Sequence, residues 1–254
     1  MLGWMKKRRR RAIGAKPIPP AWLDILEKDV SHYGQLADSG RARLRNDMRV
    51  LIAEKRWEGC DGLDMNDRIR VVIAAQACVL LLGLEHDFYP HLRTILVYPT
   101  AYLSPATAAG FDGIQQPQVR LGEAMYRGPV VLSWADTLAG ARREGDGHNL
   151  VFHEFAHQLD QQDTAFDGTP RLGSRQQYRE WQHVMTREFE QLVERSSLGR
   201  ATLLDQYGAQ NPAEFFAVAT ECFFEQGTRM ARIHPQLYEQ MKRFYRQDPT
   251  TWRA

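Results

Sequence analysis

Residues Asn149 to Asp160 read NLVFHEFAHQLD. His153 and His157 stand four apart, with Glu154 directly after the first. On an α-helix, residues i and i+4 lie about 40° apart, so both imidazoles leave one face and can hold one ion. Glu154, one step round, is placed to reach a water on that ion. Zinc so held lowers the water's pKa, the carboxylate takes its proton, and the hydroxide attacks a carbonyl that the metal polarises. Leu150, Val151, Phe152, Phe155, Ala156 and Leu159 are apolar, so the helix is predicted to be buried nearly all round. Burying two imidazoles and a carboxylate unpartnered is costly, and a bound ion offsets that cost. The plain alternative is a pair of core histidines satisfied by neighbours.

A catalytic zinc site needs a third protein ligand and an open position for water. Three downstream residues compete. Asp163 fits an HExxHxxGxxH/D spacing, but that pattern turns at a glycine, and Asp160 occupies the position here. Asp205, in ATLLDQYG, resembles the GTxDxxYG segment of aspartate-zinc peptidases but is one residue out of register. Glu214 opens the helix expected over Pro212–Gln226 and suits an HExxH-plus-glutamate arrangement best. Its rival role is a capping box, with Asn211 as N-cap, Pro212 at N1 and Glu214 folding back at N3. Glu214, Val218, Glu221 and Glu225 share one narrow stripe of that helix, while Phe215, Phe216, Ala219 and Phe223 pack elsewhere. Glu221, two turns beyond Glu214, either hydrogen-bonds a zinc histidine or faces solvent.

Apolar spacing predicts further helices over Asp24–Val30, Arg41–Arg56 and Gln176–Arg195, and one over Asp67–Leu84 with Asn66 as N-cap. The apolar run Val71–Leu84 is interrupted by Gln76 and is too short to span a bilayer, so it reads as a buried helix. TILVYP (Thr94–Pro99) and PVVLSW (Pro129–Trp134) read as strands, with a loop over Ser104–Pro117 between them. Val130–Ser133 is either a sheet-edge strand, where an extended peptide substrate could add as another strand, or a plain core strand. The fold class is therefore α+β: a mainly helical, gluzincin-like zinc-peptidase fold with a small mixed sheet beside the HExxH helix. Residues 20–92 form a helical N-terminal part and 93–254 the catalytic part of one compact unit.

Of 254 residues, 43% are hydrophobic and 25% charged, as in ordinary soluble globular proteins. Lys6–Arg11 reads KKRRRR; the rest of the chain carries 27 basic residues against 31 acidic ones. Residues 1–19 are accordingly expected to be a flexible basic tail, with a membrane-surface or nucleic-acid contact as the other reading of such a run. No direct nucleic-acid partner is expected. No apolar segment or cleavage site follows the charges, which argues against a signal peptide. Cys60, Cys78 and Cys222 are an odd number with wide spacings and make neither a disulfide framework nor a CxxC pair, which favours the cytoplasm. There is no GxSxG nucleophile motif. His86, His91, His148 and His183 read as surface or capping residues.

HEFAHQLD, the preceding GEAMYRGPVVLSW, the following YGAQNPAEFFAVATECFF and the late FYRQDP together resemble the Mlc titration factor A family of bacterial zinc peptidases, over about residues 20 to 250. The resemblance implies one zinc ion on His153, His157 and Glu214, with Glu154 as general base. It also implies that Tyr207, which on its own reads as a buried aromatic, donates to the developing oxyanion, in an active site similar to that of anthrax lethal factor. It further implies aminopeptidase-like action on small peptides and binding of the glucose repressor Mlc. The competing function is a regulatory protein that sequesters such a repressor around a non-catalytic metal site.

Overall fold

The computed structural model describes residues 2–104, 118–120, 122–124, 128–143, 145–163 and 167–252. Four helices come first: α1 (Leu2–Ala15), α2 (Pro20–Asp29), α3 (Ser31–Gln35) and α4 (Asp38–Glu54). Strand β1 (Arg56–Gly59), helix α5 (Asp67–Val79) and strand β2 (Thr94–Tyr98) follow. Two short strands, β3 (Tyr102–Ser104) and β4 (Gln118–Arg120), pair antiparallel with each other. Next come β5 (Gly122–Ala124), β6 (Val130–Ser133), α6 (Trp134–Arg142) and α7 (Leu150–Asp160). The chain ends with α8 (Arg175–Ser197), α9 (Pro212–Glu225), α10 (Gly227–Ile233) and α11 (Pro235–Tyr245). Most of the loop expected over Ser104–Pro117 lies outside the described residues.

The main sheet has the order β1-β2-β6-β5; β1, β2 and β6 run parallel, and β5 runs antiparallel to β6. It is small, mixed and beside α7, as expected. All four residues of β6 are buried, as befits a strand covered on both faces. Its position decides between the edge and core readings. Val130–Ser133 is an interior strand, paired with β2 on one side and β5 on the other, so no peptide can add to it. The continuous apolar run signals burial of both faces, while the pairing of both edges is set by β2 and β5.

The basic run lies on the first helix. Leu2–Ala15 is helical, and Lys6 and Arg10 pair with Asp87 and Glu54 of the body. Its inward ion pairs, invisible in the sequence, hold a run whose composition suggests solvation. Of the three apolar helices that build the core, α5 buries every residue from Val71 to Val79, α7 buries Val151, Phe152, Phe155 and Ala156, and α9 buries Phe215, Phe216, Ala219 and Phe223. Aromatic edge-to-face contacts pack their neighbours onto them: Tyr89, after α5, meets Phe155 of α7, and Trp181 of α8 meets Phe216 of α9. Asn66 caps α5 as predicted, its side chain accepting from Ile69 N at 3.0 Å. The helix stops at Val79, five residues before the expected end. Among the described residues, no helix is long and apolar enough to cross a membrane.

Candidate metal centre

Helix α7 begins at Asn149, whose extended backbone and side-chain oxygen, accepting from Phe152 N at 3.0 Å, start the helix abruptly after the glycines at 145 and 147. From that start, His153 and His157 point off one face toward α9, their rings 4.9 Å apart between centroids. Glu214 meets them: its Oε2 lies 2.9 Å from His153 Nε2 and 3.4 Å from His157 Nε2. The three ligand atoms lie within 4.8 Å of one another. Donors around a tetrahedral zinc stand roughly 3.3 Å apart, given its bond lengths of about 2 Å, close to the 2.9 and 3.4 Å that separate Glu214 from the two histidines. The donor set of two imidazoles and one carboxylate fits a borderline cation.

Glu221 lies seven residues after Glu214, about 10 Å along α9. The His153 ring fits lengthwise between the two: Nε2 faces Glu214, and Nδ1 lies 2.8 Å from Glu221 Oε1. The other Glu221 oxygen accepts from Asn149 N at 2.6 Å, so one carboxylate fixes both the ring and the start of its helix. Asn149 Nδ2 in turn donates to Gln76 Oε1 at 2.9 Å and to Glu225 Oε1 at 3.1 Å. Gln76, the polar interruption of the apolar run, is thus the α5 anchor of the α7 cap.

The charges follow the contacts. Burial disfavours charge on His153, but hydrogen bonds to Glu214 and Glu221 outweigh it and hold the ring's pKa well above its ordinary value. For His157 burial prevails over the Glu214 contact, and the pKa is lowered. Burial raises Glu214, yet its hydrogen bonds with the two histidines bring its pKa down to about 2. Glu154 is buried, and its charge acts on His153.

The structure places the other candidates as follows. Tyr207 is 49% exposed, not a core aromatic, and its ring stands 5.8 Å from that of His153. Asp205 caps the 3₁₀ turn at Gln206–Ala209, accepting from Tyr207 N at 2.7 Å, and lies outside the metal-ligand group. The Asp163 side chain lies outside the described residues. The capping reading of Glu214 is half present: Asn211 accepts from Glu214 N at 3.0 Å, while the Glu214 carboxylate turns to the histidines. His148 is exposed beside Asp205, at 3.5 Å.

Sequence reasoning missed the knot that ties the end of α7 to α8 against the start of α9. Asp160, buried at the end of α7, accepts from Gly168 N at 2.9 Å, and Gly168 O accepts from Trp181 Nε1 at 3.2 Å. Gly168 has φ +77°, and a Cβ there would lie 2.2 Å from Pro212 O, at the first turn of the helix that carries Glu214. Only glycine meets both demands, but an aspartate–glycine pair in a loop gives no hint of them.

A helical α+β fold with HExxH on one buried helix and a glutamate on the facing helix is the build of an HExxH metallopeptidase. A family description of a glucose-regulated metallo-peptidase, M90, matches residues 4–246, and the chain belongs to that family. It is similar to the uncharacterized protein slr2042 of Synechocystis sp., at 40% identity over 95% of this chain and 89% of that one. It is also similar to Mlc titration factor A of Edwardsiella ictaluri, at 30% identity over 84% and 83%, and of Escherichia fergusonii, at 28% over 91% and 87%.

Proposed function

We propose that the protein is a zinc-dependent peptidase in which His153, His157 and Glu214 hold the ion and Glu154 is the general base. The observation that carries this reading is the convergence of those three ligand atoms within 4.8 Å, with Glu154 on the same buried helix as both histidines. When bound, zinc supplies an acidified water and a Lewis acid for the substrate carbonyl. Glu154, shielded from bulk solvent, takes the water's proton and passes it to the leaving amine. Tyr207, exposed above His153, offers its hydroxyl to the charge that develops on the carbonyl oxygen. Glu221 holds the His153 Nδ1 proton, which leaves the Nε2 lone pair for the metal. Small peptides cleaved in an aminopeptidase-like manner in the cytoplasm are the substrates this reading favours.

Purified protein should hydrolyse peptide substrates, lose that activity to a chelator and regain it with zinc. Activity that survives chelation and exhaustive dialysis would refute the reading. A second role draws on the name of the curated relatives: binding of an Mlc-like transcriptional repressor. A pull-down with such a repressor tests it independently, because binding should persist in Glu154→Gln while hydrolysis does not.

A further inference from the structure

The metal centre makes no use of the basic run in α1. Lys6 and Arg10, one turn apart, face the body: Lys6 donates to Asp87 at 2.8 Å, and Arg10 forks onto Glu54 at 2.9 and 2.7 Å. Ile13, on the same side, packs against the core. Arg49 of α4 donates to Gly14 O at 2.8 Å and to Lys16 O, placing a cation at the negative end of the helix dipole. These contacts dock α1 and fix which face it turns outward.

That outward face carries Trp4, Lys7, Arg8 and Arg11, at the i, i+3, i+4, i+7 spacing of one helical stripe, and all four are exposed. Trp4 is 66% exposed and Met5 beside it 59%, and the Arg8 guanidinium sits 5.7 Å from the Trp4 ring centroid. Lys7, Arg8, Arg9 and Arg11 have no acidic partner among the described residues. A helix that needed only solubility would not keep a tryptophan and a methionine out of the core among unpaired cations. The combination is that of an interfacial helix, in which cations meet anionic headgroups and tryptophan enters the headgroup layer. Trp4 and Met5 would gain little against a phosphodiester backbone, whereas the headgroup layer takes both.

We propose that α1 docks the protein on an anionic phospholipid surface, with the Trp4–Lys7–Arg8–Arg11 face in the headgroup layer and Met5 beside it. The remainder of the chain, with more acidic than basic residues, is turned away from the membrane by the same field. Each cation near such a surface strengthens binding by about fivefold.

The test is co-sedimentation of the full chain with phosphatidylcholine vesicles with and without phosphatidylglycerol. Binding should require phosphatidylglycerol and weaken as salt shortens the screening length. Replacing Lys7, Arg8 and Arg11 together with glutamine leaves Lys6 and Arg10 docked and should weaken binding on the order of 100-fold. The charge-conserving Lys7→Arg, Arg8→Lys, Arg11→Lys variant should retain binding. Brominated lipids should quench a fraction of the tryptophan emission that Trp4→Phe removes. Equal binding to both vesicle types, no binding, or undiminished binding in the glutamine variant would overturn the proposal. So would duplex DNA bound more tightly than the vesicles through the same residues.

Discussion

Replacing Glu221 with glutamine changes one atom and should disable the metal site without touching a ligand. In the native arrangement both carboxylate oxygens accept: Oε1 from His153 Nδ1 at 2.8 Å and Oε2 from Asn149 N at 2.6 Å. Glutamine has one acceptor. The Asn149 N–H belongs to the start of α7 and cannot turn away, so the amide oxygen stays with it and the amide NH₂ then faces Nδ1. His153 must accept there, which moves its proton to Nε2, the atom that faces Glu214 and the ion. In the opposite rotamer two buried donors confront each other. Either way one charge-assisted bond is lost, at roughly 1.5–3 kcal/mol. That corresponds to a metal affinity lower by about 10- to 100-fold, the usual cost of removing a partner of a metal-bound histidine. Competition with a chromophoric chelator measures the affinity directly, and calorimetry shows whether the fold persists. Zinc bound as tightly by Glu221→Gln as by the wild type would refute the claim that Glu221 sets the His153 tautomer.

Three further outcomes are expected. Tyr207→Phe should keep its zinc and its KM but lose about 100-fold or more in kcat, the scale of one oxyanion donor, in steady-state peptide assays; unchanged kcat would return Tyr207 to a packing role. Burial raises the Glu225 pKa to about 8 against hydrogen bonds from Asn149 and Gly145. The folded state therefore keeps a proton that the unfolded state has lost, and its contribution to stability, full below pH 4.5, disappears as pH rises toward 8. Urea unfolding at pH 5 and pH 8 should show Glu225→Gln abolishing a decline on the order of a few kcal/mol; an unchanged pH slope would count against a protonated Glu225. Gly168→Ala places a Cβ 2.2 Å from Pro212 O at φ +77°, and should cost about 3 kcal/mol or more in thermal unfolding; a melting temperature within a degree or so of wild type would contradict the knot.

What was legible in the sequence was whatever repeats with the helix. The i, i+4 histidines, the Glu214–Glu221–Glu225 stripe and the apolar flanks all follow from 3.6-residue geometry. Capping was legible at Asn66 and Asn211, because each accepts from an N–H three residues on. Contacts across the fold were not. Gln76 looks like a flaw in an apolar run until Asn149, 73 residues away, is seen to donate to it. The burial of β6 on both edges depends on β5, a three-residue strand too short to show a period. Arg10 reads as one more charge in a solvated run because its partners, Glu54 and Asp87, are distant in sequence.

In the proposed reaction Glu154, on the helix whose histidines would hold zinc, supplies the base for peptide hydrolysis. Metal content and turnover measured on the same preparation of Glu154→Gln test it most directly. Glutamine keeps the size and burial of the side chain but cannot take a proton, so the variant should hold one zinc per chain with wild-type affinity and lose at least about 100-fold in kcat, the lower range of general-base contributions. A variant that binds zinc and hydrolyses peptide at the wild-type rate would exclude Glu154 as the base.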